Sequence, residues 1–176
     1  MEAYVAGDAR AFERLFRSLA PSIRAFFQRS VGQAAVAEDL LQTTFLKIHA
    51  ARAAWRRGER LRPWAFTVAA RVRVDWFRRA GRGDPELEAD AGETDPGADP
   101  GDALLAEERA ERVREALARL PEPQRAVVHL HRFEGMTFAD IGKVLGISEG
   151  AAKLRAFRAY GQLRALLSDL VLEDGR

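Results

Sequence analysis

Apolar residues recur at helical spacing along most of the chain, and the strict apolar–polar alternation of strands is absent. In the first segment, Phe12, Leu15, Phe16 and Leu19 lie three or four positions apart. Asp8 stands just before them, where a helix N-cap is expected. The period continues through the rest of the chain without an internal repeat of fixed length. The pattern predicts an all-α protein.

Further helices are predicted in the first half of the chain. Pro21 is expected to interrupt the first helical pattern, which then resumes as SIRAFFQRS. After a break at Gly58, a helix is predicted to begin near Pro63 and to end at Gly81. Between the SIRAFFQRS segment and Gly58, a further helix is defined by residues spaced four apart, Val36, Leu40, Thr44 and Ile48.

The second half contains two helical patterns joined by a very short turn. Thr137 is a predicted N-cap for FADIGKVL, with Asp140 three positions later as in a capping box. Gly146 ends this helix where a left-handed residue is needed, and Ser148 caps the next one. Two helices joined in this way form a helix-turn-helix, whose second helix can enter the major groove of DNA.

The second helix of this pair has a small apolar face and a cationic face. The predicted core face consists of Ala152, Ala156, Ala159, Leu163 and Leu166. Lys153, Leu154, Phe157 and Arg158 are expected to point away from it, and no acid occurs from residue 150 to residue 164. These residues are candidates for contacts with bases and phosphates. The alternative for Leu154 and Phe157 is that they extend the core.

Charge divides the chain into three parts. Residues 1–82 carry 16 Lys and Arg against 7 Asp and Glu, whereas residues 83–102 carry 8 acids and no base. The acidic segment has four glycines, three prolines and a single leucine, so it cannot bury enough apolar surface to fold. We therefore predict two small helical domains, residues 1–82 and 103–176, joined by a flexible acidic linker. The basic first domain indicates a polyanionic partner, the alternative being an arginine-rich solvated surface.

Composition bears on the cellular compartment of the protein and on whether it enters a membrane. The chain has no cysteine, which is consistent with a reducing compartment. The first residues contain no apolar signal segment, and no apolar run is long enough to cross a bilayer. We expect a cytoplasmic protein without membrane insertion.

Both halves resemble the extracytoplasmic-function sigma factors of bacterial RNA polymerase. ALARLPEPQRAVVHLHRFEGMTFADIGKVLGISEGAAKLRAFRAYGQLRALL resembles their C-terminal, promoter-reading domain. AEDLLQTTFLKIHAARAAWRRGERLRPWAFTVAARVRVDWFRR resembles their N-terminal domain, and the acidic segment stands where they have a linker. The resemblance implies core RNA polymerase and promoter DNA as partners, an anti-sigma factor as a further partner, and a monomer when free.

The resemblance also implies roles for individual residues. Docking on polymerase is implied for Asp39, Gln42, Phe45 and Leu46, with a plain amphipathic helix as the alternative. Contacts with the minus-ten element are implied for Trp55, Arg56, Arg57, Arg60, Arg62, Arg71, Arg78 and Arg79. Contacts with the minus-thirty-five element are implied for Ser148, Gly150, Ala151, Lys153, Leu154, Arg155, Phe157 and Arg158. Trp64 and Phe66 are predicted to be core rather than platforms for bases.

Six residues at four places in the chain depart from the usual family residues. Ala70 and Arg71 stand where the family commonly has Arg-Asn near the point of strand separation, so we expect the contact there to shift toward phosphate. Ala151-Ala152 replaces a common Thr-Val. Leu154 replaces a frequent serine and cannot donate a hydrogen bond, which predicts a different minus-thirty-five preference. Thr43 replaces the frequent glutamate after the docking Gln42.

Two other functions fit part of the sequence. A helix-turn-helix regulator of the quorum-sensing or response-regulator type fits the C-terminal half, but the N-terminal half lacks an α/β receiver pattern.

An enzyme is suggested only by His129, His131 and Glu134, which could be read as metal ligands. Histidines two positions apart on a helix point in different directions, and no phosphate loop or nucleophile motif occurs. We expect no catalysis, metal or cofactor.

Overall fold

The computed structural model describes residues 1–80 and 100–168, apart from the side chains of residue 9 and residues 100–106. The described residues form helices and turns and contain no strand, which confirms the all-α prediction. A 3-10 turn, Arg52–Ala54, precedes α4, and a π-helical turn, His129–Phe133, follows α6. The helices are α1 (Glu2–Val5), α2 (Ala9–Val31), α3 (Ala34–Ala50), α4 (Leu61–Arg79), α5 (Pro100–Ala118), α6 (Glu122–Val128), α7 (Phe138–Leu145) and α8 (Glu149–Leu166).

The long helix α2 starts as predicted but does not break. Asp8 accepts a hydrogen bond from the backbone N–H of Arg10 at 2.9 Å, so it is the N-cap. The expected interruption at Pro21 is wrong, because α2 continues through it. Pro21 is exposed, whereas Leu19 and Ile23 on either side are fully buried. Burial of the continuous apolar face therefore outweighs the one backbone hydrogen bond that proline removes.

Helices α2, α3 and α4 pack together around aromatic side chains. Phe26 and Phe27 of α2 and Phe66 of α4 are fully buried, and the Phe26 and Phe66 rings meet edge to face at 5.6 Å. Trp64 is half-buried and packs against the same cluster. The prediction that Phe66 belongs to the core is confirmed, and Trp64 lies at the edge of that core. Gly58, with φ of 85°, separates α3 from α4 as expected.

The helix-turn-helix forms with the predicted caps. Thr137 accepts a hydrogen bond from the backbone N–H of Asp140 at 3.1 Å, and Ser148 caps α8 in the same way. Gly146 ends α7 with φ of 67°. A Cβ atom at Gly142 would lie 2.8 Å from the carbonyl oxygen of Ile147, so the absence of a side chain there permits the tight turn.

The two halves of the chain pack directly against each other. α4 contacts α7, and α2 contacts α6. Phe66 and Ala69 belong to the same hydrophobic cluster as Leu130 and Ile141, so the two halves share buried apolar side chains. Short-range periodicity could not reveal this contact, because each half already has an apolar face of its own. The linker prediction falls mainly on residues outside the described ones, although its last residues, 100–102, belong to α5.

Among residues 1–80 and 100–168, no helix is both long enough and apolar enough to cross a membrane.

Candidate nucleic-acid interface

The outward face of α8 carries cations beside two large apolar side chains. Phe157 is 78% exposed and Leu154 is 50% exposed, and Lys153 and Arg158 are exposed with them. The opposite face is buried through Ala152, Ala156 and Ala159. The prediction that Leu154 and Phe157 point away from the core is therefore confirmed, and the alternative that they extend the core is wrong. Exposed apolar groups flanked by cations can contact thymine methyl groups and phosphates in a major groove.

The first turn of α8 positions the rest of the predicted set. The Ser148 hydroxyl accepts a hydrogen bond from the N–H of Ala151 at 3.1 Å. Lys153 reaches back to Glu149, one turn away, with 2.7 Å between Nζ and Oε1. This exposed ion pair is weak enough for DNA phosphate to displace. Gly150 is exposed, whereas Ala151 and Arg155 are half-buried.

The segment between α3 and α4, residues 51–60, is an arginine-rich loop that we call the arginine loop. Arg56, Arg57 and Arg60 are exposed on it, and Trp55 is half-buried. Arg57 Nε lies 3.3 Å from the carboxylate of Glu2 in α1. The loop thus presents guanidinium groups on a short, exposed segment, as a nucleic-acid contact requires.

Further arginines line α4. Arg71 and Arg78 are exposed, and Arg79 donates from Nε to the backbone oxygen of Asp75 at 3.1 Å. The carboxylate of Asp75 forms ion pairs with Nζ of Lys47 at 3.2 Å and with Nη2 of Arg78 at 3.0 Å. The hydrogen bond from Lys47 is the main reason that the pKa of Asp75 is lowered. Arg71, Arg78 and Arg79 are therefore cationic groups on α4, with Asp75 as a counter-charge to Arg78.

The predicted docking edge on α3 is only partly on the surface. Asp39 and Gln42 are exposed, and Leu46 is 72% exposed. Phe45, which we expected on the same outer edge, is buried, and its ring lies 4.6 Å from that of Phe16. The expectation fails for Phe45 because consecutive helical positions are rotated by about 100°, which turns Phe45 inward when Leu46 points outward.

A set of ion pairs crosses the contact between the two halves, which we call the junction. Each pair joins an arginine of the first half to an acid of the second, and two of the arginines belong to the predicted minus-ten set. The carboxylate of Glu134 is almost fully buried and lies 3.1 Å from the guanidinium of Arg62. The pairs are Arg60–Asp140, Arg62–Glu134 and Arg73–Glu122.

A buried histidine lies at the same junction. His129 Nδ1 is 3.2 Å from Nη1 of Arg29, and Nε2 is 3.4 Å from Oε1 of Glu134. Phe26 and Phe66 pack on its ring at 5.4 Å and 6.3 Å between centroids. Burial is the main reason that the pKa of His129 is lowered, and the nearby Arg29 charge acts in the same direction. A neutral ring can accept from Arg29 and donate toward Glu134.

Sequence reasoning missed Arg73 and Glu122, which form the most buried of these pairs. A signal for Arg73 was present. It follows Phe66 by seven positions and Ala69 by four, so it lies on the buried face of α4. An arginine on such a face requires a buried acid. The sequence did not show which acid, because Glu122 is distant along the chain.

The residues considered as metal ligands do not form a site. His131 Nδ1 lies 3.0 Å from the hydroxyl of Tyr160, whereas His129 contacts Arg29 and Glu134. Within residues 1–80 and 100–168, no group of three or more His, Asp or Glu side chains is placed to hold a metal ion.

Two protein families match the two halves of the chain. The family described as "Sigma-70 region 2" matches residues 15–83, and the one described as "Sigma-70, region 4" matches residues 110–163. The first covers the arginine loop and α4, and the second covers the helix-turn-helix. The chain thus has the two-region plan of a sigma-70-type transcription factor.

Similar proteins show which kind of sigma-70-type factor the chain is. The RNA polymerase sigma factor CarQ of Myxococcus xanthus is 39% identical over 176 residues, covering 100% of both chains. The ECF RNA polymerase sigma factor SigF of Caulobacter vibrioides is 36% identical over 172 residues, covering 96% of this chain and 90% of its own. The chain belongs to the extracytoplasmic-function (ECF) sigma factors. Its function is therefore that of a sigma factor in transcription, and the regulator alternative is not favoured, because the region 2 match occupies the N-terminal half.

Solved structures share the fold. The sigma factor RpoE in complex with the anti-sigma factor NepR, from Bartonella quintana, aligns with a TM-score of 0.73 and 24% identity. That alignment covers 91% of this chain and 98% of RpoE. CnrH in complex with the cytosolic domain of CnrY aligns with a TM-score of 0.68 and 23% identity, covering 94% and 92%.

Proposed function

We propose that α8 reads the minus-thirty-five element of the promoter. The observation that carries this assignment is the outward face of Lys153, Leu154, Phe157 and Arg158, opposite a face of buried alanines. Lys153 and Leu154 lie near the N-terminal end of the helix, the part that approaches base edges in this motif. Arg158 lies further along and binds phosphate. Ser148, Gly150, Ala151 and Arg155 shape or flank this contact.

The arginine loop and α4 bind and open the minus-ten element. Arg56 and Arg57, together with Arg60 and Arg62, follow the DNA backbone, and Trp55 borders the loop in which an unstacked base of the non-template strand is held. Arg71, Arg78 and Arg79 extend the contact along α4. The exposure of most of these side chains on one basic half supports the proposal.

Core RNA polymerase docks on the exposed edge of α3. Asp39 and Gln42 supply polar contacts, and Leu46 supplies an exposed apolar contact beside them. Phe45 supports this edge from inside, through its packing on Phe16 and Phe12.

An anti-sigma factor is proposed as a further partner, since the two similar solved structures hold sigma factors bound to NepR and CnrY. The protein acts in the cytoplasm, where core polymerase is found, and is a monomer when free. We assign it no catalysis, metal or cofactor.

Transcription in vitro with core polymerase and a promoter library tests these assignments together. The full-length protein is expected to direct initiation at promoters that share one minus-ten and one minus-thirty-five sequence. Binding of the protein to duplex DNA, with no promoter-specific transcription when polymerase is added, would contradict the proposal.

A further inference from the structure

The short helix α1 lies against the arginine loop. It contacts the 3-10 turn Arg52–Ala54 in the first part of the loop. The hydroxyl of Tyr4 in α1 is hydrogen-bonded to Nδ1 of His49, which lies in the last turn of α3 just before the loop. Further along, Nε of Arg57 lies 3.3 Å from Oε1 of Glu2. Helix α1 thus reaches the loop at its start and near its middle.

Tyr4 makes the firmer of these two contacts. Its side chain is only 6% exposed, and its ring lies 5.2 Å from that of Phe12 in α2. The ring of His49 meets Phe12 edge to face at 6.3 Å, so the three rings pack together at the end of α3. The pair between Glu2 and Arg57 contributes less, because the Arg57 side chain is 89% exposed. Phosphate can replace Glu2 there, whereas Tyr4 is held by the core.

The arginine loop takes its orientation from the elements next to it. No residue from 51 to 60, all of which the structure describes, is buried, so the loop has no core side chain of its own to fix it. At its far end Arg60 pairs with Asp140 of α7. At its near end the backbone oxygen of His49 accepts a hydrogen bond from Nη1 of Arg52 at 2.8 Å.

The near end depends on the last turn of α3. Carbonyl groups in the last turn of a helix lack partners within the helix, so this turn opens more readily than the helix interior. Arg52 satisfies one such carbonyl, that of His49, and the Tyr4 hydroxyl holds the side chain of the same residue. Tyr4 therefore restrains the turn from which the loop begins.

We propose that Tyr4 is a positioning residue for minus-ten recognition, which holds His49 and so fixes the start of the arginine loop in the orientation that captures a base. The inference rests on the proposed role of the loop in base capture. A loop that is already ordered loses less conformational freedom on binding, and a recognition group held in one place discriminates better between bases. Tyr4 acts through the loop and makes no DNA contact itself.

The test measures how well the holoenzyme distinguishes bases in the minus-ten segment. Core polymerase is saturated with wild type or with Tyr4→Phe, which removes the hydroxyl and keeps the ring. Fluorescence anisotropy gives the affinity for single-stranded oligonucleotides that carry the minus-ten sequence selected from the promoter library, or that sequence with one base changed. We expect the affinity ratio between preferred and changed base to fall several-fold at the captured position only. Unchanged ratios at every position would overturn the proposal, even if all affinities fell together.

Tyr160→Phe is the matched control. The Tyr160 hydroxyl also lies against a histidine, 3.0 Å from Nδ1 of His131, but in the second half of the chain. The oligonucleotides carry no minus-thirty-five element, so α8 has no part in the measurement. The control is expected to keep the wild-type ratios, and a fall equal to that of Tyr4→Phe would reject the specific role of Tyr4.

Two variants of His49 show whether the hydrogen bond itself matters. An asparagine side chain can accept or donate a hydrogen bond, whereas leucine can do neither. His49→Asn is therefore expected to stay near the wild-type ratio at the captured base, and His49→Leu to behave like Tyr4→Phe. Equal ratios in the two His49 variants would contradict the positioning role.

Failure of the proposed function is recognised separately. The double variant Arg56→Ala with Arg57→Ala is expected to weaken binding of every oligonucleotide in the set, because both guanidinium groups are exposed on the loop. Unchanged binding by this double variant would reject the minus-ten role of the loop, and the role of Tyr4 with it. Weakened binding by the double variant, together with wild-type ratios in Tyr4→Phe, would reject only the role of Tyr4.

Discussion

At the scale of single residues, Phe45 and Leu46 are neighbours in α3 with different roles, one in packing and one in binding. Leu46 is 72% exposed and its neighbour Phe45 is buried against Phe16, so one can meet a partner and the other holds the helix in place. Leu46→Ala is expected to weaken polymerase binding with a change in unfolding free energy within about 0.5 kcal/mol. Phe45→Ala is expected to cost about 3–5 kcal/mol of stability. Urea unfolding and polymerase binding measured on both variants check this, and a reversed pattern would contradict the docking assignment.

Leu154 is the residue at which promoter preference is expected to differ from that of relatives. Its side chain is half exposed beside Lys153, so it can approach a base edge without being required by the core. Leu154→Ser should change the preferred base at one or two minus-thirty-five positions, by about 1–3 kcal/mol at the affected pair. A promoter-library selection with core polymerase measures this change.

Arg158→Ala is the comparison for that experiment. Because a lost phosphate contact releases fewer counterions, Arg158→Ala should weaken all promoters alike and reduce the salt dependence of binding. An unchanged preference in Leu154→Ser together with a lower melting temperature would show that the side chain serves the fold instead.

At the scale of elements, the helix-turn-helix depends on close approach between the end of α7 and the start of α8. Gly142→Ala places a Cβ atom 2.8 Å from the backbone oxygen of Ile147, and a backbone atom cannot move aside as a flexible side chain can. We expect a loss of about 1–3 kcal/mol in unfolding free energy and weaker minus-thirty-five binding.

Gly161→Ala in α8 is the control for Gly142→Ala, because nothing lies within 4 Å of its added Cβ. Alanine is favoured over glycine inside a helix, so this variant should gain about 0.5–1 kcal/mol. Urea denaturation of the two variants gives the comparison. Equal effects would mean that the tight approach at Gly142 does not matter.

Helix caps and helix faces could be predicted from the sequence, whereas contacts between distant helices could not. The caps at Asp8, Thr137 and Ser148 were predictable because they depend on residues two or three positions away. The outward face of α8 followed from helical period in the same way. The continuity of α2 through Pro21 depends on burial against other helices, and a local rule misjudges it. The acids that meet Arg60, Arg62 and the other junction arginines come from distant segments, which periodicity cannot pair.

At the scale of the whole molecule, the junction combines shared apolar side chains with buried charged groups. Arg29, Arg62 and Arg73 approach from the first half, and Glu122 and Glu134 approach from the second. Burial by itself would raise the pKa of Glu134, but its contacts with His129 and Arg62 outweigh that effect and lower the pKa. Such a buried network gives little net stability compared with apolar packing, yet it fixes which faces meet. The network therefore specifies one arrangement of the two halves.

The titration of His129 gives this arrangement a dependence on pH. Its pKa is lowered in the folded protein by burial, so the neutral ring is favoured there, while the unfolded chain titrates near the ordinary value of 6.5. Below about pH 6.5 the unfolded state therefore binds a proton that the folded state resists, and stability falls as the pH decreases. Protonation would also place a donor at Nδ1 against Arg29, 3.2 Å away.

His129→Gln tests this expectation, because glutamine can accept and donate hydrogen bonds without titrating. Between about pH 5.5 and pH 7.5, the unfolding free energy of the wild type should fall more steeply with decreasing pH than that of the variant. The lowered pKa of Glu134 adds its own loss of stability only at lower pH, below the range of the measurement. Parallel pH profiles would mean that His129 is not held neutral at the junction.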